Sequence, residues 1–199
     1  MKAPPAFDLE RVALLLAEVL GENGVLVGGM AVGAHGYVRA TDDVDFVARM
    51  PLTEVRERLR TLGIKATIHR GNVLEGDFDC LKGTVDGIRF DVMPPLVALE
   101  WDRAIEVPMT KKRRLRVVDL DGLIRLKLRA QGPRDLMDVA ALTLRHPERL
   151  VAVREVARSH GVLERLDPWL ADPRLRAELP ETGKGEKARK ARRTSGRRR

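Results

Sequence analysis

Cysteine is almost absent from this sequence of 199 residues, and other marks of special protein classes are missing too. The single Cys80 excludes an intramolecular disulfide framework. No Cys/His pattern has the spacing of a zinc site, and no apolar run reaches the roughly 18 residues that a membrane-spanning helix needs. No signal peptide is recognisable. We therefore expect a cytoplasmic protein with an ordinary hydrophobic core and no membrane partner.

Excess positive charge is missing from most of the chain, although the whole carries a net charge of +8. Residues 184–199 contain nine Lys/Arg and one Glu, which accounts for all of that charge. The segment has no aliphatic side chain larger than alanine, so it cannot bury enough surface to offset its ordering entropy. We predict a disordered basic tail over residues 181–199 that either binds phosphate backbones or only increases solubility.

The rest of the chain divides into two parts. Over residues 1–118, short apolar stretches alternate with helical patterns and glycine turns, which predicts an α/β (α+β) core with a mixed β-sheet flanked by helices. The dipeptide Asp86-Gly87 predicts a tight hairpin within this core. Residues 119–180 show the periodicity of successive amphipathic helices, which predicts a helical C-terminal part.

Two acids interrupt an apolar strand in the stretch DVDF, which begins at Asp43. Alternate residues of a strand share a face, so Asp43 and Asp45 project together while Val44 and Phe46 point into the core. Carboxylates this close repel each other unless a cation lies between them. Oxygen ligands suit Mg²⁺ or Mn²⁺, and a two-metal site stabilises the attacking and leaving oxygens of a phosphoryl transfer. The alternative is an exposed edge strand with both acids facing water.

A third acid and a glycine pair complete the pattern. Asp91 lies in another apolar stretch, IRFDVM, and is the best candidate for a third metal ligand. Asp77 and Asp79 repeat the spacing of the first two acids but follow no glycine pair, so we interpret them as loop or edge residues. Gly28 and Gly29 lack side chains, so their N–H groups can approach a phosphate at the start of the following helix.

The stretches VGG, DVDF and FDVM, in this order, resemble the polymerase-β-like nucleotidyltransferase superfamily. GYVRATDDVDFV, LIRLKLRA and RDLMDV are similar in particular to small bacterial enzymes related to AbiE-type toxins of abortive-infection and toxin–antitoxin systems. The resemblance covers Val25 to Leu142. It implies the nucleotidyltransferase fold, a nucleoside triphosphate (NTP) as substrate, two Mg²⁺ ions, and transfer of a nucleoside monophosphate with release of pyrophosphate. AbiE-type toxins are generally longer, so the acceptor does not carry over.

The resemblance also implies roles for individual residues. Asp43, Asp45 and Asp91 would ligate the metal ions, and Asp91 would also help to deprotonate the attacking hydroxyl. Seven residues would bind the nucleotide: Gly28, Gly29, Arg39, Thr41, Lys127, Arg134 and Asp135.

Several residues have structural alternatives. Lys127 and Arg134 could also be ordinary surface charges on helices. Asp135 and Asp138 could serve only to favour the helix start after Pro133.

Three further features have two interpretations each. We interpret His35 and Trp101 as packing residues, with catalysis and base stacking as the respective alternatives. The basic run from Lys111 to Arg116 is either a solvated strand face or a phosphate track.

We therefore expect a nucleotidyltransferase that acts on a hydroxyl of a macromolecule. RNA or tRNA is the expected acceptor, bound through the basic tail and Lys111–Arg116. The alternative is a non-catalytic, antitoxin-like module that keeps the nucleotide pocket and binds a cognate toxin or antitoxin protein, or a nucleic acid.

Overall fold

The computed structural model describes residues 6–72, 78–110 and 113–178, with side chains from Leu9 onward. Asp77, Lys111, Lys112 and the basic tail lie outside the described residues. The helices within these ranges are α1 Ala6–Leu20, α2 Gly28–Ala34, α3 Leu52–Thr61, α4 Leu120–Ala130, α5 Pro133–Arg145, α6 Leu150–Ser159, α7 Leu163–Ala171 and α8 Pro173–Ala177. The strands are β1 Gly24–Leu26, β2 Asp43–Ala48, β3 Ala66–His69, β4 Cys80–Val85, β5 Ile88–Met93, β6 Ile105–Pro108 and β7 Arg114–Val117.

These strands form one mixed sheet in the order β3-β4-β5-β2-β1-β7-β6. β2 pairs in parallel with β5, and β1 with β7, while the remaining neighbours are antiparallel. Asp86 and Gly87 both have positive φ, 50° and 82°, and form the tight turn between β4 and β5 that the sequence predicts. The mixed sheet with flanking helices confirms the predicted class of fold.

The middle of the sheet is apolar because β1 and β2 contain the most continuous apolar runs. All three residues of β1 are buried. In β2, Val44 and Phe46 are buried while the alternating Asp43 and Asp45 are only partly so. α1 packs across β1, β2 and β7, and α3 packs against β3 and β4. α2 contacts β2 on the side of the acids, and both acids are partly buried.

The helices after Asp119 pack around α5, which contacts α4, α6, α7 and α8. Most of α5 is buried, from Leu136 to Thr143 with the exception of Met137. α4 also contacts α2, so the C-terminal helices lie next to the glycine pair at the start of α2. Among the described helices, none combines the length and hydrophobicity that a membrane span requires.

Candidate active site

The three predicted metal ligands lie on one face of the sheet. Asp43 and Asp45 are two residues apart in β2 and so share a face. In the parallel pairing of β2 with β5, Asp45 is the direct partner of Asp91, and Asp43 is the partner of Arg89. Neighbouring strands lie about 4.8 Å apart, so the pairing places the third acid beside the first two.

The environment of Asp45 disfavours a negative charge. The pKa of its carboxyl is raised from 3.8 to about 7. Burial is the largest cause, and the charges of Asp43 and Asp91 add to it. Lys127 and Arg39 act in the opposite direction without cancelling the effect. A divalent cation at this position would relieve the repulsion among the acids.

The donor set fits a divalent cation in its chemistry, because all three predicted ligands are carboxylates. Their present partners are side chains of the protein. Asp91 Oδ2 lies 3.1 Å from Lys82 Nζ, and Thr41 Oγ1 donates a hydrogen bond of 3.0 Å to Asp43 Oδ1. Within the described residues, no three Asp, Glu, His or Cys side chains are close enough together to hold a metal ion as they stand. Metal binding would therefore require Asp91 to exchange the ammonium group for the ion.

Gly28 and Gly29 make room for the acids and for the segment before them. Gly28 has a φ of +65°, and a Cβ added there would lie 1.9 Å from Asp45 Oδ2. A Cβ added at Gly29 would lie 2.6 Å from Thr41 Oγ1. The strand and the helix can therefore approach this closely only because both residues lack side chains. Their predicted contact with phosphate remains a prediction.

Arg39 and Lys127 meet at a buried acid, Asp138, which the sequence analysis did not place in the site. Arg39 donates two hydrogen bonds of 2.7 Å to the carboxylate of Asp138, one from Nε and one from Nη2. Lys127 Nζ lies 2.9 Å from the same carboxylate and 2.8 Å from Asp135. The side chain of Asp138 is completely buried. α5 therefore fixes two of the predicted nucleotide-binding cations through one carboxylate.

The sequence pattern contains a signal for a role of Asp138. Asp138 lies three residues after Asp135, on the same side of α5. Ala141 and Leu142, three and four residues later on the same face, are apolar and buried, so the acid interrupts an apolar stripe. A charge in such a stripe needs a buried partner.

The two residues of the predicted Arg134–Asp135 pair have different surroundings at the start of α5. Asp135 contacts Lys127 and also accepts a hydrogen bond of 3.2 Å from the backbone N–H of Gly132, which caps the helix. Asp135 therefore has the structural role at the helix start, and its part in nucleotide binding remains a prediction. Arg134 is exposed and does not line the cleft beside Asp45.

That cleft has a volume of ≈ 350 Å³ and opens next to Asp45. Gly28, Lys127 and Asp135 contribute to its polar side. Most other lining residues are apolar and come from the end of β1, the segment after β5 and α4: Val27, Met93, Leu96, Leu123, Leu126 and Ala130. Arg129 lies over the ring of Phe78, 4.6 Å from its centroid, at the margin of the cleft. The cleft therefore combines an apolar wall with two cations, Lys127 and Arg129, and two carboxylates, Asp45 and Asp135.

The residues interpreted as structural have partners in the fold. His35 Nε2 lies 2.8 Å from the carbonyl oxygen of Val118, and burial lowers the pKa of its imidazole. Trp101 is partly buried against the core, and Arg49 lies over its ring at 5.2 Å. Asp79 lies just before β4 and pairs with Arg70, so Asp91 remains the candidate for the third metal ligand.

The arginines in the described part of the Lys111–Arg116 run form ion pairs and hydrogen bonds with other residues of the protein. Arg113 pairs with Glu18 at 3.1 Å, and Arg114 with Glu106 at 3.7 Å. Arg116 donates hydrogen bonds to backbone carbonyl oxygens of residues 22 and 101. These contacts favour the interpretation as an ordinary strand face.

Comparison with known proteins identifies the fold. No protein family matches the chain, and no curated protein is significantly similar to it in sequence. The crystal structure of ANT(2'')-Ia in complex with adenylyl-2''-tobramycin superimposes with a TM-score of 0.53 at 13% identity, over 78% of this chain and 97% of that one. The solution structure of the antibiotic-resistance factor ANT(2'')-Ia gives 0.55 at 16% identity, over 79% and 94%.

The chain has the polymerase-β-like nucleotidyltransferase fold. This confirms the fold that the sequence resemblance implies. At 13% and 16% identity the similarity shows the fold, and neither an acceptor nor an AbiE-type role follows from it.

Proposed function

We propose that the protein is a Mg²⁺-dependent nucleotidyltransferase that moves a nucleoside monophosphate from an NTP to a hydroxyl group and releases pyrophosphate. The alignment of Asp43, Asp45 and Asp91 on one sheet face, at the mouth of a cleft that contains Lys127, carries this proposal. The raised pKa of Asp45 supports it, because burial and the charges of Asp43 and Asp91 disfavour the carboxylate, and a divalent cation would offset both.

The three acids would hold the metal ions, and Asp91 would also accept the proton of the attacking hydroxyl. When bound, Mg²⁺ neutralises charge on the triphosphate. Lys127 would contact the phosphates, and the apolar wall of the cleft would take the base or ribose. Asp138 orients Lys127 and Arg39, so the phosphate-binding cations are held in place before substrate arrives. Gly28, Gly29, Thr41, Arg134 and Asp135 complete the proposed nucleotide site.

We assign the acceptor to RNA, with tRNA included, and the biological role to a toxin–antitoxin pair. The basic residues of the chain support a polyanionic acceptor. The resemblance of residues 36–47 and 123–139 to AbiE-type enzymes supports the toxin–antitoxin role. ANT(2'')-Ia was solved with adenylyl-2''-tobramycin, so a small-molecule acceptor is the alternative for the same chemistry.

The test is incubation of the full chain with each labelled NTP, Mg²⁺ and total RNA. We expect label on RNA with at least one nucleotide, and loss of labelling in Asp45→Asn. Asp102→Asn is the matched control, because Asp102 is an exposed acid that does not line the cleft. Absence of transfer to RNA or protein with all four nucleotides would overturn the proposal.

A second candidate function is a binding module that retains the fold without catalysis. The pairing of Lys82 with Asp91 favours it, because the ammonium group lies 3.1 Å from Asp91 Oδ2 and offsets the charge of the third acid. Such a module would bind a cognate toxin or antitoxin protein. In that case Asp43→Ala and Asp45→Ala proteins would keep full cellular activity and would still co-purify with the partner, whereas the nucleotidyltransferase would lose its activity.

A further inference from the structure

A groove of ≈ 400 Å³ adjoins Asp43 and Asp91 and extends over β5, β4 and β3. We call it the cationic groove. Besides the two acids, its polar lining consists of Lys65, Thr67, His69, Lys82, Thr84 and Arg89. None of these six residues belongs to the proposed nucleotide site or to the run Lys111–Arg116.

The strand pairing arranges this lining in two rows that cross the sheet, and each row ends at an acid. In the first row Thr67 pairs with Lys82, Lys82 with Asp91, and Asp91 with Asp45.

In the second row Thr84 pairs with Arg89, and Arg89 with Asp43. Lys65 lies just before β3, next to the outer end of this row. β3 is two strands from β5, so the outer end of the groove lies about 10 Å from Asp91.

The groove presents charge and hydroxyl groups to solvent. The six residues that contribute its cationic, hydroxyl and imidazole groups are all exposed. Lys82 and Arg89 are paired with Asp91 and Asp42. Lys65 has no side-chain hydrogen bond or ion pair within the described residues, so its ammonium is available to a ligand. No Phe, Tyr or Trp is among the residues that line the groove, and His69 contributes its one ring. Its contacts therefore suit phosphates better than stacked bases.

We propose that the cationic groove binds the phosphate backbone of a polynucleotide acceptor and directs its terminal hydroxyl to Asp91. The rows run from cations and hydroxyls at the outer strands to the acids at β5 and β2. A chain of phosphates can therefore lie on the outer strands while its hydroxyl end reaches the acids. Because the contacts are to phosphate, the groove selects a polyanionic strand without regard to base sequence.

The inference rests on the proposed transfer reaction for the role of the bound strand, but binding itself is measurable without any nucleotide.

The test compares two charge-reversal variants of the full chain by fluorescence anisotropy, with a labelled oligouridylate of about 12 nucleotides as the probe. Lys65→Glu/Arg89→Glu changes the groove. Arg56→Glu/Arg158→Glu is the matched control, because it makes the same change in net charge at exposed arginines of α3 and α6. All four replaced residues are exposed, and equal melting temperatures verify that the variants are folded.

We expect the groove variant to bind at least about tenfold more weakly and to show a salt slope shallower by about two. The control should stay within about twofold of the unmodified protein. Equal losses in both variants, or no loss in either, would overturn the inference. Nucleotide transfer to a small hydroxyl compound together with unchanged RNA binding by the groove variant would overturn the inference and leave the proposed function standing. Weaker RNA binding by the groove variant than by the control, without nucleotide transfer by the unmodified protein, would support the inference and overturn the proposed function.

Discussion

The acids Asp43, Asp45 and Asp91 lie between two very different surfaces. The cleft beside Asp45 has a mainly apolar wall and one largely buried ammonium, that of Lys127. The cationic groove beside Asp43 and Asp91 has exposed cations and hydroxyls along three strands. An apolar wall with a fixed cation suits a single nucleotide, whereas dispersed exposed cations suit a repeating anion. The two substrates of a transfer reaction would thus approach the acids from different surfaces.

The two surfaces also differ in how firmly their cations are held. The side chain of Lys127 is 9% exposed and is bound by two carboxylates, whereas that of Arg89 is 62% exposed and pairs with one exposed acid. Changes at the cleft should therefore affect both stability and chemistry. Changes at the groove should affect binding alone, since exposed pairs contribute little to stability.

The largest expected effect is that of Asp138→Ala, because it leaves Arg39 and Lys127 without their shared partner. We expect a loss of about 3 to 5 kcal/mol in the free energy of unfolding, measured by urea denaturation. Asp167→Ala breaks the more exposed pair with Arg154 and should cost less than about 1 kcal/mol. The folded fraction of Asp138→Ala should retain RNA affinity. Equal costs for the two variants would show that burial of the acid does not decide the cost.

Asp45→Asn comes next, because it removes the acid nearest the cleft. We expect nucleotide transfer to fall by at least about a hundredfold, measured as initial rate at saturating Mg²⁺. Without metal, the variant should melt at a higher temperature than the unmodified protein, because one of the mutually repelling charges is gone. An unaltered rate, or a lower melting temperature without metal, would count against the site.

The stabilisation by Asp45→Asn should depend on pH. The folded-state pKa of Asp45 is raised to about 7, so between about pH 4 and 7 the folded protein retains a proton that the unfolded chain has lost. Stability from this group is therefore present at low pH and falls as pH rises, by up to about 1.4 kcal/mol per unit. The advantage of the variant should grow across this window and level off above it. Thermal melts of both proteins without metal, over this pH range, measure the difference; a constant difference would contradict the raised pKa.

Deletion of residues 184–199 should have the smallest effect on the folded protein. The segment has no large apolar side chain, so we expect unchanged melting temperature and NTP binding. RNA binding should weaken and its salt slope become shallower, because fewer counterions are released. The affinity that remains would belong to the cationic groove. Identical affinity and salt slope in the truncated and full chains would show that the tail only increases solubility.

Local patterns predict much of this site. The shared face of Asp43 and Asp45 follows from the two-residue period of a strand, and the turn at Asp86-Gly87 follows from its residue types. The pairing of Asp91 with Asp45 depends instead on which strands become neighbours, and no local pattern contains that information. Asp91 was predicted as the third acid from its apolar stretch, whereas its pairing with Asp45 was not predicted.

Other features depend on contacts between distant parts of the chain. The role of Asp138 requires α5 to pack against Arg39, which lies 99 residues earlier. β6 was not predicted, because its residues are mainly exposed and only pairing with β7 makes it a strand. Gly28 was predicted to bind phosphate. In the structure, the most direct reason for a glycine at this position is that a Cβ would lie 1.9 Å from Asp45 Oδ2.

The parallel pairing of β1 with β7 has a consequence for synthesis of the protein. Leu26 pairs with Val117, and the N–H of Val118 donates to the carbonyl oxygen of Leu26. β1 therefore has an unpaired edge until some 90 further residues have been synthesised, which takes roughly 5 to 20 s at elongation rates of about 5 to 20 residues per second. During that interval the apolar strand is exposed to other nascent chains. We expect early release of the chain before residue 117 to yield aggregated fragments, whereas release after β7 leaves a closed central sheet.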